Sequence, residues 1–156
     1  MRTTDLTRAL FVTLVLASPA LAQQPGIAGP SLADAKKMIA AAQAAATGMK
    51  IGLSCVVLDS RGGVVLVERM DNAPFFTADV ARGKALVSAG FGAPSGGLTT
   101  LAASGIGATL PGPATPLFMQ GAVPLTKNNQ RLGAIGCSGG QAQQDEDAAK
   151  AGAAAF

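Results

Sequence analysis

The stretch Gly136-Cys137-Ser138-Gly139-Gly140 comes nearest to a reactive centre by residue type. It fits G-x-S-x-G, the pattern that sets a serine on a sharp turn between a strand and a helix. The surroundings agree with that geometry. Leu132 to Cys137 is an apolar run of strand length, and the glycines after it reach the positive φ values of a tight turn. Asp145, Glu146 and Asp147 then open an alanine-rich tail with Lys150 near its end, a charge order that suits a helix dipole. Such a unit aims backbone N–H groups at whatever sits over the turn. The chain has no histidine, however. A serine hydrolase needs an imidazole to take the serine proton near neutral pH, and a lysine base cannot be argued from spacing. We read 136–140 as a glycine turn and assign no catalytic residue.

Two further groups could do chemistry. Cys55 and Cys137 each fall in an apolar, strand-like run. They are either a disulfide, which an exported protein keeps, or two small buried hydrophobes. Two cysteines without histidine make a poor zinc site, so no metal ligand is assigned. Arg69-Met70-Asp71, followed by Phe75-Phe76, ends a strand with a cation, a thioether, a carboxylate and adjacent rings. That set suits the rim of a ligand site, with rings for a flat apolar molecule and Arg69 for its carboxylates. The alternative is an edge-strand stop with both rings in the core. Lys84 joins the rim if the following helix folds back over the hairpin; otherwise it is a solvated helical lysine.

The elements that position these residues read as follows. Ser31 caps a helix, with Asp34 at the acidic third position and Gly48 as its end. Leu32, Ala35, Ile39, Ala42 and Ala46 form its apolar face. Ile51–Asp59 and Val64–Met70 are the arms of a hairpin turned at Ser60–Gly63, and Asp71–Pro74 stops the second arm. Thr77 caps a helix to about Ala89, with Val80, Lys84 and Val87 at helical spacing. Gly90 to Pro116 is a long, weakly charged loop with a short helix at Leu98–Ala103, either a binding segment or mobile. Val123–Thr126, the turn Lys127–Gln130 and the strand from Leu132 make a second hairpin. Two hairpins interleaved with helices predict an α+β fold, one antiparallel sheet with helices against it.

Composition bounds the function. At 156 residues, 49% apolar and 13% charged, the chain supports one folded domain rather than disorder. Six Phe, no Trp and no Tyr, with a net charge of +3 and no basic block, argue against a nucleic-acid partner. Arg2 and Arg8, the apolar run Ala9–Ala17 and Ala20-Leu21-Ala22 are ordered as a secretory signal peptide. The run is too short to span a bilayer, so no stable membrane anchor is expected after cleavage. Cleavage after Ala22 leaves ten basic and eight acidic side chains. The expected organisation is signal peptide 1–22, unstructured leader 23–30 and domain 31–156, in a periplasmic or secreted protein.

GAIGCSGG followed by QQDEDAAKAG resembles the C-terminal signature of the GlcG/HbpS family, the haem-degrading domain proteins. VVLDSRGGVVLVERMDNAP is similar to that family's first hairpin, DVARGKALVSAGF to its next helix, and GAVPLTKNNQRLG to the hairpin before the last strand. The resemblance runs in order from Ser31 to Phe156. It implies a profilin-like architecture with the first and last strands adjacent, and haem as a ligand. With histidine and tyrosine absent, an axial iron ligand falls to Met, Cys or an oxygen donor, or is missing. The leading expectation is an exported, homo-oligomeric small-ligand-binding protein for haem or a related tetrapyrrole, built on Arg69, Met70, Phe75, Phe76 and Lys84. The alternatives are an oxidative haem-degrading enzyme and a homo-oligomeric structural or sensory module partnered with another exported protein.

Overall fold

A computed structural model describes residues 29–106 and 115–156. The signal peptide expected at 1–22, and all of the leader but Gly29 and Pro30, lie outside the described residues, as does part of the long loop. Helix α1 (Leu32–Gly48) is followed by strands β1 (Ser54–Asp59) and β2 (Val64–Arg69), then helix α2 (Thr77–Phe91). A 3-10 turn at Ser95–Leu98 leads into the short helix α3 (Thr99–Ala102). Strands β3 (Ala122–Lys127) and β4 (Gln130–Ser138) and helix α4 (Ala142–Ala153) complete the order.

The four strands form one sheet in the order β2-β1-β4-β3, with every pairing antiparallel. The expected α+β class is the one found, and β1 and β4 are central neighbours. Both hairpin turns follow from local chemistry. Asp59 accepts hydrogen bonds from the backbone N–H of Arg61 and Gly63 at 2.8 and 2.9 Å, and Gly62 supplies a φ of +80°. Asn128 and Asn129 take φ of 50° and 61°, the left-handed pair that matches the twist of a two-residue hairpin.

The helices cover both faces of the sheet. α1 and α4 pack on the Cys55, Val57, Ile135 and Cys137 side, and α2 packs on the Val56, Leu58 and Ala134 side. Gly136 lets α2 come down onto the sheet, because a Cβ there would meet the Ala81 carbonyl and the Ala85 methyl. Ser31 and Asp34 form the expected capping box. The Ser31 hydroxyl, donating to Asp34, holds that carboxyl below its ordinary pKa. Two details differ from the sequence reading. Leu32 is 52% exposed and Met38 takes its place in the core. Thr77 begins α2 without capping it, because its hydroxyl donates back to the Pro74 carbonyl.

Cys55 and Cys137 face each other in the β1–β4 register and are bonded, with Cα atoms 4.2 Å apart. The bond joins positions 82 residues apart and is wholly buried. On a chain-entropy account, closing a loop of that size stabilises by roughly 4–5 kcal/mol. Replacing both cysteines by alanine should cost about 2–5 kcal/mol in urea unfolding while leaving the circular dichroism spectrum native. An unchanged midpoint would show that the cross-link contributes nothing to stability.

Candidate functional site

At one end of the sheet β2 ends, β1 begins and β4 ends, and the chain between β2 and α2 crosses there. Arg69 is in register opposite Ser54. Residues directly opposed in an antiparallel pair project to the same face. The Ser54 side chain marks that face as α2's, since its hydroxyl lies 2.7 Å from the Thr77 hydroxyl. Thr77 gives its single proton to the Pro74 carbonyl at 2.7 Å, so Ser54 must donate to Thr77. This buried relay fixes the bend Asp71–Phe76 against the start of β1. Ala73 is tucked in, while Phe75 and Phe76 point outward, 82% and 50% exposed. Their rings meet edge to face with centroids 5.5 Å apart.

The same face of β2 continues the apolar surface. Val67 pairs with Val56 and Val64 with Leu58, both on the α2 side, and both β2 valines are exposed. α2 lies over β1 and β4 and leaves this edge strand open. We call this open face of β2, together with the bend that follows its Arg69 end, the shelf: the strand carries Val64, Val67 and Arg69, and Phe75 and Phe76 project from the bend. Of the two readings of the rings, rim or core, the core one is excluded, because the bend that anchors Ala73 turns them away from the interior. Val67 went unnoticed in the sequence, where alternation alone does not say which face a helix covers.

Met70 and Lys84 are not brought to this shelf. Met70 follows the alternation of the strand and packs against the core on the α1 side. Lys84 is neither at the rim nor solvated. It is 2% exposed, and its Nζ donates to Asp145 Oδ2 at 2.7 Å and to the Cys137 carbonyl at 3.3 Å. Gly121 leaves the room it occupies, since a Cβ there would lie 2.7 Å from the lysine nitrogen. Asp145 Oδ1 accepts from the Gly140 backbone N–H at 2.8 Å. The Gln144 side chain takes the next donor, that of Gln141, at 2.9 Å. The N–H groups that the glycine turn aims over α4 are thus taken by the helix's own side chains. Ser138, the serine of the elbow-like motif, is buried beneath them.

A second apolar patch lies where α2 ends. Phe91 and Phe118 meet edge to face at 5.8 Å, with Met119 exposed nearby in sequence. The cation there, Arg131, is already committed to the Gly90 carbonyl at 2.7 Å. Among the described residues no group of three His, Cys, Asp or Glu could hold a metal ion.

The chain matches the haem-degrading, HbpS-like protein family over residues 31–154. It belongs to that family. An uncharacterised 15.0 kDa protein of Citrobacter freundii, from the dhaT-dhaS intergenic region, is 30% identical over 76% of this chain and 86% of its own. HbpS of Streptomyces reticuli, solved as a double mutant, superposes with a TM-score of 0.76 at 28% identity, over 93% of this chain and 97% of that one. A solved PduOC–haem complex shares the fold, with a TM-score of 0.74 at 22% identity over 82% and 95% of the two chains.

The buried pair generates a stability prediction. Lys84→Met leaves Asp145 charged, buried and uncompensated, and should cost about 3–5 kcal/mol in urea unfolding. Adding Asp145→Asn removes the stranded charge but keeps an acceptor for Gly140, so most of that loss should return. If the double variant is no more stable than the single, the cost lies in packing rather than in charge.

Proposed function

We propose that this protein is an exported small-ligand-binding protein that takes haem or a related tetrapyrrole on the β2–α2 shelf. The observation that carries the reading is the outward, contacting pair Phe75–Phe76 in the bend that follows Arg69 at the open end of β2. Two contacting rings exposed together beside a cation suit a flat ligand with acidic edges. The family's haem description and the haem complex of a protein with the same fold support that choice of ligand. Export is supported by the residue order of the first 22 positions and by the disulfide. Among the described residues no helix is long and apolar enough to cross a membrane.

The residues present fit the macrocycle better than the iron. One ring face and the valines suit the porphyrin plane, the second ring standing at 88° to the first, and Arg69 suits a propionate. The chain has no His or Tyr, both of its cysteines are bonded and buried, and Met70, the methionine next to Arg69, packs against the core on the other face of the sheet. Grip therefore rests on the macrocycle and its carboxylates. Bound haem would supply redox chemistry at its iron. The family's description keeps haem degradation as the second reading. Loss of haem absorbance under oxygen with a reductant, over a protein-free control, would favour that reading.

Affinity measurements test the site. A charge-assisted pair between Arg69 and a propionate is worth roughly 1.5–3 kcal/mol. Arg69→Ala should then weaken haem binding about tenfold or more, with the melting temperature nearly unchanged. Phe75→Ala is an equally clean test, because a ring so exposed contributes little to stability. It should weaken haem binding and leave urea unfolding within about 0.5 kcal/mol of the parent. Haem binding at parental strength by both variants would put the site elsewhere. Metal-free protoporphyrin should bind within several-fold of haem, and failure to bind would return the iron to the centre of recognition.

A further inference from the structure

Arg82 lies in the first half of α2. It is half-buried, and its Nε is shut off from solvent with no hydrogen-bond partner. Neither ion pair among the described residues involves it. One of its five N–H donors is thus left without an acceptor, and an anionic group placed beside it would supply one.

Its position is fixed by the helix that carries it. Arg82 and Leu86 are one turn apart and share a flank of α2. Leu86 marks that flank as the one facing the β1–β2 hairpin: it packs with Val56 and Leu58, and a Cβ on Gly62 would lie 3.2 Å from its methyl. The opposite flank carries Lys84 and looks toward β3 and β4, where Asp145 and the Cys137 carbonyl receive it. Side chains on a helix lean toward its N-terminus. For α2 that is the end where Thr77 meets Ser54, hence the end that holds Arg69, Phe75 and Phe76. The acid beside Arg69 in β2, Glu68, is on the other face, where it accepts from Gln43 at 3.1 Å.

We propose that Arg82 is the second cation of the shelf, placed so that the site takes a flat apolar molecule carrying two carboxylates. The inference rests on the ligand reading above and adds a requirement to it. One carboxylate meets Arg69 on the strand and the other meets Arg82 on the helix. The two arginines select a diacid over a monoacid of the same shape.

Zinc protoporphyrin IX, its monomethyl ester and its dimethyl ester are titrated into the full chain by fluorescence. For the wild-type protein each esterification should cost about tenfold in affinity. Arg82→Gln should weaken diacid binding about tenfold and leave the dimethyl ester unchanged, and Arg82→Lys should restore part of the loss. Combined with Arg69→Ala the losses should multiply, as for two separate contacts. If Arg82→Gln binds the diacid like the wild type while Arg69→Ala does not, Arg82 has no part in recognition and the shelf reading survives. If wild-type protein binds diacid and diester alike, both the second cation and the carboxylate reading are overturned, whether or not the variants fold.

Discussion

The interaction on which the structure depends most is the buried pair between Lys84 and Asp145. It ties the middle of α2 to the first turn of α4 around the end of β4, with the Cys137 carbonyl as third partner. A lone buried ammonium is untenable at this depth, so the lysine, the aspartate and the cavity left by Gly121 must occur together. Asp145 has a second duty, receiving the Gly140 N–H and so closing the turn after β4. Because α2 is pinned on its β3–β4 flank, it lies over β1 and β4 and stops short of β2. The open face of β2 follows from that placement.

The disulfide works on the same part of the fold from the other side of the sheet. Cys55 and Cys137 lock the two central strands in register, and Ser54 and Ser138, the next pair along, stand at the edge of the site. Ser54 then positions Thr77, and Thr77 positions the bend before it. A chain of short contacts thus runs from the cross-link to the exposed rings. The shelf is built on strand and helix ends, and its two rings pack on each other while remaining open to solvent.

Much of this was legible in the sequence, and the failures share a cause. The capping box at Ser31, the two hairpins and the strand–turn–helix unit at the C-terminal end rest on local chemistry, and each appears where local chemistry puts it. Leu32 and Met38 exchange roles because periodicity fixes a face but not how far a neighbouring helix extends over it. Phe75 and Phe76 could be core or rim on composition alone, and the hydroxyl relay that decides between them joins residues 23 apart. Lys84 and Asp145 are 61 residues apart, and no spacing in either element announces their partnership. Arg82 is invisible for a related reason: an arginine in a helix is ordinary until its neighbours fail to pair with it.

The central claim is that ligand recognition sits on the open face of β2 beside the start of α2. It is tested most directly by amide chemical-shift mapping of the isotopically labelled protein as zinc protoporphyrin IX is added. The account predicts that saturable shifts gather at Val64, Val67, Arg69, Phe75, Phe76 and Arg82, with little change around Phe91, Phe118 and Met119. Shifts gathered at that second patch, or at the glycine turn Gly139–Gln141, would contradict it.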